Sequence, residues 1–191
     1  MRVVFATGNA GKVREVKAIL ADLNMEVLSM KEAGVSSDAD ENGSTFAENA
    51  VIKATDIAKK VPDAIVMADD SGLVVDALNG EPGIYSARYA GDGVDKHNNE
   101  LLLKNMQGVE NRKAKFVCCM VFYKPNGEII SAFGETQGEI MDKEYGENGF
   151  GYDPLFFSHD LNQCLGLASA EDKNKISHRF RAISALKDKL K

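Results

Sequence analysis

The first half of this 191-residue chain alternates between apolar runs typical of strands and apolar spacing typical of helices. Short apolar runs predict strands over residues 2–6 and 26–30. Between them, apolar side chains recur three and four positions apart, which predicts an amphipathic helix over residues 10–22. The side chains on its apolar face are Val13, Val16, Ile19, Leu20 and Leu23.

Helical spacing returns over residues 45–60, and this second helix has a clear start and stop. Thr45 is followed three residues later by Glu48, which fits a capping box, in which two side chains satisfy free N–H groups at the helix start. Pro62 ends the helix because its ring nitrogen has no hydrogen to donate.

An acidic pair, Asp69 and Asp70, lies between apolar runs that predict strands at residues 64–68 and 72–77. Adjacent carboxylates in a loop at the end of a buried strand repel each other unless a cation or a proton relieves the repulsion. Hard oxygen ligands suit Mg²⁺, which takes one or two carboxylates together with the phosphates of a substrate. The alternative is a solvated turn in which one Asp caps a helix.

The second half of the chain alternates turn-rich segments with regular ones, and its middle has the pattern of an antiparallel strand pair. Together the two halves indicate a mixed α/β architecture. No repeat or linker divides the sequence, so one domain over residues 1–191 is expected, with room for two lobes around a cleft. The predicted elements are a turn-rich segment at 78–93, a helix at 95–106, strands at 113–124 and 129–140, a glycine-rich loop at 146–154 and a helix from about residue 174.

Charge and composition argue against several classes of function. The formal net charge of −6 disfavours broad binding to nucleic acid, which needs an excess of Lys and Arg. No apolar run approaches the length of a transmembrane helix, and the first is too short for a signal peptide. Cys118 and Cys119 are adjacent in an apolar run, so buried, reduced thiols on opposite faces of a strand are expected. These features favour a cytoplasmic protein.

The segment between the first strand and the first helix has the composition of an anion-binding turn. Backbone N–H groups at a helix N-terminus attract anions, and glycine lets a phosphate approach closely. Lys12 adds a positive charge, although the glycine spacing is too short for a Walker A loop and Val13 replaces its Ser or Thr. A tight turn with an exposed lysine is the alternative. The candidate phosphate-binding residues are Thr7, Gly8, Asn9, Ala10, Gly11 and Lys12.

Further candidates lie on the second predicted helix and in the loop before it. Asn49 and Lys53 are four positions apart and therefore share one helix face. One of Asp38, Asp40 and Glu41 is a candidate to complete a metal site with the acidic pair. A solvated lysine and an ordinary charged loop are the alternatives.

Two segments near the C-terminus combine turn residues with aromatic or cationic side chains. In the loop at 149–154, aromatic rings between glycines are suited to stacking on a flat base while Asp153 or backbone groups read the base edge; a core turn is the alternative. Cations within residues 171–179 crowd the predicted start of the last helix, where the macrodipole disfavours them. A nearby anion is therefore expected, unless Ser177 only caps the helix and the preceding acids offset the charge.

Taken together, these segments resemble the inosine triphosphate pyrophosphatase family, which acts on non-canonical purine nucleotides. The motifs occur in the family's order over nearly the whole chain. Any one of them is weak, whereas the complete set in order is specific. They are Thr7-Gly8-Asn9 with Lys12; Thr45-Phe46 with Glu48-Asn49 and Lys53; residues 68–73; residues 82–89; residues 149–154; and Lys173 with Ser177-His178-Arg179.

The resemblance implies a mixed central sheet with flanking helices, two lobes around a nucleotide-binding cleft, and a homodimer. It implies Mg²⁺-dependent hydrolysis of inosine, xanthosine and related deaminated purine triphosphates to the monophosphate and pyrophosphate. A small nucleoside triphosphate is then the expected partner, with no nucleic acid and no membrane.

The resemblance also assigns roles to individual residues. Asp70 resembles the general base that activates water and faces the metal, and Asp69 supports it. The second metal ligand is Glu41 or its neighbour Asp40. Positions that resemble triphosphate contacts are Lys12, Lys53, Ser71 and the turn from Thr7 to Asn9, and those that resemble base contacts are Phe150, Gly151, Tyr152, Asp153, Lys173, His178 and Arg179; Asn49 is a further candidate substrate contact.

Two positions depart from the family pattern. Phe180 follows the His-Arg pair where the family often has Gly, and the stretch ending at Leu167 lacks an acidic residue often found there. Both bear on base preference rather than on the chemistry. The rival functions are a pyrophosphatase for other modified nucleotides, a nucleotide-binding regulator without catalysis, and a phosphatase that removes the γ-phosphate.

Overall fold

The computed structural model describes residues 2–21 and 25–189 of the chain. The predicted end of the first helix at residue 22, and Leu23, lie outside the described residues. The strands are β1 (Arg2–Phe5), β2 (Glu26–Ser29), β3 (Ile65–Val75), β4 (Lys113–Tyr123), β5 (Ile129–Ile140), β6 (Phe156–Ser158) and β7 (Gln163–Cys164). The helices are α1 (Ala10–Ile19), α2 (Phe46–Ala58), α3 (Asp95–Asn105), α4 (Ala170–Ile176) and α5 (His178–Lys189), with 3₁₀ turns at Asp76–Leu78, Gly83–Arg88 and Asp153–Leu155.

The described strands form a mixed sheet in the order β2-β1-β3-β4-β5-β6-β7. β1 runs parallel to both β2 and β3, whereas β5, β6 and β7 pair antiparallel. The parallel strands are connected through α1 and α2, as parallel pairing requires, and the antiparallel strands are connected by turns and loops. The mixed α/β class predicted from the sequence is confirmed.

The connection from β1 to α1 is fixed at both ends. Phe5 is buried in β1 opposite Met67 of β3, and the next N–H, that of Ala6, donates to the Met67 carbonyl at 2.8 Å. Asn9 caps α1, because its Oδ1 accepts the backbone N–H of Lys12 at 3.1 Å. The turn therefore leaves β1 beside Met67, near the start of β3, and enters α1 at once.

β3 is continuous from Ile65 to Val75, so the prediction of an acidic loop between two strands is wrong. Asp69 and Asp70 are part of the strand. Successive side chains of a strand point to opposite faces, so the two carboxylates do not share one environment. The two charges do not interrupt the strand, because each carboxylate has its own cation.

α2 begins with the predicted cap in slightly altered form. Thr45 Oγ1 accepts the N–H of Glu48 at 3.1 Å, while the Glu48 carboxylate accepts the N–H of Ser44 at 2.6 Å, one position earlier than in the usual capping box. Gly43 donates its N–H to Asn49 Oδ1 at 2.9 Å, and a Cβ at Gly43 would lie 2.7 Å from that oxygen. The loop before α2 is thus tied to the first turn of the helix.

The C-terminal segment forms two helices, so the prediction of a single helix from about residue 174 is wrong. Ser169 caps α4, and extended backbone at Ser177 (ψ 151°) separates α4 from α5. Lys173 and Lys175 lie in the last turn of α4, where the macrodipole favours positive charge. The helix dipole therefore gives no reason to expect an anion beside these two lysines.

The chain divides into two compact units, Met1–Asp70 with Cys118–Gly134 and Arg179–Lys191, and Ser71–Val117 with Glu135–His178. The first unit has two apolar clusters, and buried Cys118 belongs to one while buried Cys119 belongs to the other. The prediction of opposite faces for these thiols is confirmed. The second unit has its own cluster around Leu73 and Phe156. The predicted nucleotide-binding cleft stays a prediction. Among the described helices, none is long and apolar enough to cross a membrane.

Candidate active site

Two consecutive carboxylates of β3, both in the first unit, lie in different surroundings. Asp69 is 0% exposed, and its Oδ2 lies 2.9 Å from Lys12 Nζ. Asp70 is 7% exposed, and its Oδ1 accepts a hydrogen bond from Lys53 Nζ at 2.9 Å. Each acid therefore has a lysine of its own, one from α1 and one from α2.

The Asp69 side continues into a buried ionic network that the sequence analysis missed. Arg179, in the first turn of α5, is 1% exposed and donates to Asp69 Oδ2 from Nε at 3.4 Å and from Nη2 at 3.3 Å. Its Nη1 donates to Glu15 of α1. Burial alone would lower the pKa of Arg179, but the carboxylates of Asp69 and Glu15 outweigh this effect and raise it. The available sequence signal was Glu15 itself, an acid next to the apolar positions of α1.

The Asp70 side connects β3 to α2 and to the loop before α2. Lys53 Nζ lies 2.9 Å from Asp70 Oδ1 and 3.0 Å from Glu41 Oε2, and Asn49 Nδ2 donates weakly to Asp70 Oδ2 at 3.4 Å. Burial raises the pKa of Asp70, although Lys53 opposes the change. Burial would lower the pKa of Lys53, but the surrounding carboxylates outweigh it and raise the pKa. The cluster thus holds a permanent cation beside a carboxylate with increased affinity for a proton.

Asp70 and Glu41 are candidates to hold a metal ion. Both carboxylates contact the ammonium of Lys53, whereas Asp40 is exposed and uses its backbone carbonyl to accept the N–H of Asn42 at 2.9 Å. Within residues 2–21 and 25–189, no three His, Cys, Asp or Glu side chains gather into a metal site. Two hard oxygen donors still fit Mg²⁺, which usually keeps several waters and takes further ligands from substrate phosphates. The donor set therefore suits an ion that binds together with a nucleotide.

The turn between β1 and α1 presents its backbone at the surface. Residues 8–10 are exposed, and Thr7 is half-buried, with its Oγ1 accepting the N–H of Asn9 at 3.2 Å. The ammonium of Lys12 contacts Asp69. An exposed helix start with a lysine in its first turn is a geometry that favours anions. The predicted role of this turn in phosphate binding stays a prediction.

Three of the predicted base contacts form one cluster in the second unit. Lys173 and Asp153 are both buried, and Lys173 Nζ lies 2.5 Å from Asp153 Oδ2. The same ammonium lies 4.5 Å from the centroid of the Phe150 ring, within the range of a cation–π contact. The N–H of Phe150 donates to Asp153 Oδ2 at 2.8 Å. A cation, a carboxylate and an aromatic ring are thus held together by one short loop and α4.

Gly149 makes this arrangement possible, because its φ of +79° and the close approach of Asp153 both exclude a side chain. A Cβ at Gly149 would lie 2.0 Å from Asp153 Oδ2. We expect Gly149→Ala to lower the free energy of unfolding by about 2–4 kcal/mol, measured in urea. The matched control is Gly108→Ala, where φ is +71° but a Cβ meets nothing within 4 Å. Equal losses for the two variants would contradict the steric argument.

The other predicted base contacts make internal contacts. Tyr152 is buried and donates its hydroxyl hydrogen to the Ser86 carbonyl at 2.7 Å, and burial raises its pKa. His178 is buried and stacks on Phe116 with ring centroids 5.0 Å apart. Arg179 belongs to the first unit, with Asp69. The remaining predicted residues are Gly11, buried in α1, Ser71, half-buried in β3, and Gly151, half-buried in the loop.

The chain matches the model of a known protein family over nearly its whole length. The model of one family, Ham1, matches residues 3–189. The chain belongs to the Ham1 family. A similar protein, the dITP/XTP pyrophosphatase of Clostridium perfringens (strain 13 / Type A), is 48% identical over 198 residues, covering 100% of this chain and 97% of that protein. The dITP/XTP pyrophosphatase of Clostridium tetani (strain Massachusetts / E88) is 47% identical over 192 residues, covering 99% and 96%.

Two solved structures resemble the chain over nearly its full length. The Ham1 protein of Staphylococcus aureus has a TM-score of 0.86 at 44% identity, covering 100% of this chain and 98% of that one. The nucleoside-triphosphatase / dITP/XTP pyrophosphatase of Mycobacterium abscessus has a TM-score of 0.76 at 36% identity, covering 97% and 98%. The family predicted from the order of the motifs is therefore confirmed.

Proposed function

We propose that this Ham1-family chain is a nucleoside-triphosphate pyrophosphatase that hydrolyses ITP, dITP and XTP to the monophosphate and pyrophosphate. Such an enzyme removes deaminated purines from the nucleotide pool. The observation that carries the proposal is the position of Asp70, 2.9 Å from a lysine that also contacts Glu41. A carboxylate of raised pKa beside a fixed cation is equipped to take a proton from water next to a phosphate. The names of the relatives that are 43–48% identical add independent support.

The proposed reaction is attack of water on the α-phosphorus. Asp70 accepts the proton of the water as the new P–O bond forms, and the bridging oxygen leaves with pyrophosphate. Lys53 orients Asp70 and places positive charge near the phosphates, and Lys12 with the turn before α1 binds the rest of the triphosphate. Asp70 and Glu41 would hold Mg²⁺, which would supply positive charge to polarise the phosphate oxygens. Both lysines argue for catalysis over simple sensing of a nucleotide.

The proposed base site is the cluster of Phe150, Asp153 and Lys173. Deaminated purines carry an oxygen acceptor at C6, where adenine carries an amino donor. A lysine ammonium donates to the oxygen and leaves the amino group of adenine without a partner, and sites of this kind discriminate by about 10⁴-fold. The ring of Phe150 offers a stacking surface. His178 is the further proposed donor, and the departures at Phe180 and Leu167 bear on this preference.

The proposed enzyme is a cytoplasmic homodimer whose ligands are a nucleoside triphosphate and Mg²⁺. The net charge of −6 supports a small-molecule substrate over nucleic acid. Among residues 2–21 and 25–189, five large apolar side chains are exposed, which is compatible with a subunit contact: Tyr85, Val94, Ile129, Phe133 and Leu167. Light scattering of the purified protein tests the dimer.

The deciding experiment measures hydrolysis of ITP, ATP and GTP in the presence of Mg²⁺, with pyrophosphate and orthophosphate scored separately. We expect fast release of pyrophosphate from ITP and almost none from ATP or GTP. Orthophosphate as the product would indicate removal of the γ-phosphate instead. Equal rates on all three nucleotides would favour a pyrophosphatase for other modified nucleotides, and binding without turnover would favour a regulator.

A further inference from the structure

Two side chains of α3 hydrogen-bond to the backbone of Gly151, one to its N–H and the other to its carbonyl. Asp95 Oδ2 accepts the Gly151 N–H at 2.9 Å, and Asn99 Nδ2 donates to the Gly151 carbonyl at 3.2 Å. Asp95 and Asn99 are four positions apart, so they lie one above the other on the same helix face. One turn of α3 therefore binds both backbone groups of a single loop residue.

Within the described residues, the Asn99 side chain acts only as a hydrogen-bond donor. Its Nδ2 also donates to Glu144 Oε1 at 2.8 Å, so both amide hydrogens are used. Both partners are acceptors, which fixes the orientation of the amide. Its Oδ1 is buried and has no hydrogen-bond partner within the described part of the chain. The interactions of the Asn99 side chain in the described structure are therefore those of its amide hydrogens.

Hydrogen bonds from α3 restrict this loop because two of its residues, next to Phe150, are glycines with high backbone freedom. Gly149 and Gly151 both have positive φ, at +79° and +61°. A Cβ placed at Gly151 would meet no atom within 4 Å, so no packing fixes this residue. Phe150 lies between these glycines, and Asp153 follows two residues later. Gly151 is therefore the point at which a small backbone shift changes the direction of the Phe150 ring and the position of the Asp153 carboxylate.

We propose that Asp95 and Asn99 are positioning residues that set the base specificity of this enzyme, by fixing Gly151 and with it the Phe150 ring and the Asp153–Lys173 pair. The inference rests on the proposed function, in which this cluster recognises the base. Neither α3 side chain takes part in the chemistry at Asp70. Loss of the hold therefore changes which base is accepted far more than it changes the rate at which a bound triphosphate is cleaved.

The test compares kcat/KM for ITP and for ATP in Asp95→Ala, Asp95→Asn and Asn99→Asp. Asn99→Asp has the same shape but offers acceptors to the carbonyl of Gly151 and the carboxylate of Glu144. In Asp95→Ala and Asn99→Asp we expect the ITP-to-ATP ratio to fall about 10-fold or more, chiefly through a higher KM for ITP. Asp95→Asn keeps an acceptor oxygen, so it is expected to retain a ratio within about twofold of the unaltered protein.

The matched control is Glu100→Ala, an exposed position next to Asn99 whose partner Lys96 lies 4.0 Å away at the surface. Thermal unfolding of every variant separates specificity from stability. An unchanged ITP-to-ATP ratio in Asp95→Ala and Asn99→Asp, with or without a lower Tm, overturns the inference while the proposed function stands. An unaltered protein that does not distinguish ITP from ATP overturns the proposed function, and the inference with it.

Discussion

Asp70→Asn is expected to lower kcat for pyrophosphate release from ITP by about 10³-fold. The amide has the shape of the carboxylate but accepts no proton from water, and it also weakens the ligand set for Mg²⁺. Asp70 is 7% exposed and lies 2.9 Å from Lys53, so the isosteric change leaves the side chain in place. The measurement is steady-state release of pyrophosphate with saturating ITP and Mg²⁺.

Nucleotide binding is measured in parallel by calorimetric titration with ITP and Mg²⁺, because loss of the base lowers turnover far more than it lowers binding. We expect Asp70→Asn to retain part of its Mg²⁺-dependent affinity for the nucleotide. Asp76→Asn is the matched control, since Asp76 is exposed directly after the same strand. Turnover within threefold of the unaltered protein would remove Asp70 from the role of base.

Arg179→Met is expected to lower the free energy of unfolding by about 3–5 kcal/mol. The change removes the guanidinium that contacts the buried carboxylates of Glu15 and Asp69. A buried carboxylate that loses its counter-ion incurs a desolvation cost that nothing offsets. Urea unfolding at neutral pH, followed by circular dichroism, measures the effect.

The control for Arg179→Met is Arg14→Met, which removes an exposed arginine next to Glu15 in the chain. Its expected effect is within about 0.5 kcal/mol. The double variant Glu15→Leu/Arg179→Met removes both members of the buried pair, and we expect it to be less destabilised than the sum of the two single variants. A loss below about 1 kcal/mol in Arg179→Met would show that the network contributes little.

Much of the fold was predictable because its signals are local. The strand runs at residues 2–6, 113–124 and 129–140 and the cap at Thr45 depend on neighbours a few positions apart, and the structure places elements there with ends shifted by a residue or two. β6 and β7, at three and two residues, carry too short a pattern to be read from sequence.

The acidic pair shows where local reading fails. Asp69 and Asp70 are poor strand formers, and nothing nearby in the sequence indicates the lysines that neutralise them. Lys12 and Lys53 come from different helices, and only the pairing of β1 beside β3 brings the first of these close. The motif resemblance singled out Asp69, Asp70, Lys12 and Lys53 as candidates, whereas the separate ion pairs Asp69–Lys12 and Asp70–Lys53 were not predictable.

The same limit applies to the last two helices. The extended residue Ser177 interrupts a stretch whose composition is helical throughout, and Arg179 was predicted as a base contact because it follows His178 in a motif. Its contacts with Asp69 and Glu15 depend on tertiary packing. No pattern of spacing within a window of one helix reveals such a partner.

The arginine that neutralises Asp69 is 110 residues further along the chain, and it is 164 residues from Glu15. During synthesis from the N-terminus, α1 and β3 leave the ribosome long before α5 does. Until then, both acids lack the guanidinium that accompanies them in the core, and contacts of such sequence separation form slowly. The buried network of the first unit therefore forms only after residue 179 has been synthesised, and a chain that stops before residue 179 lacks the positive charge that pairs with Asp69 and Glu15.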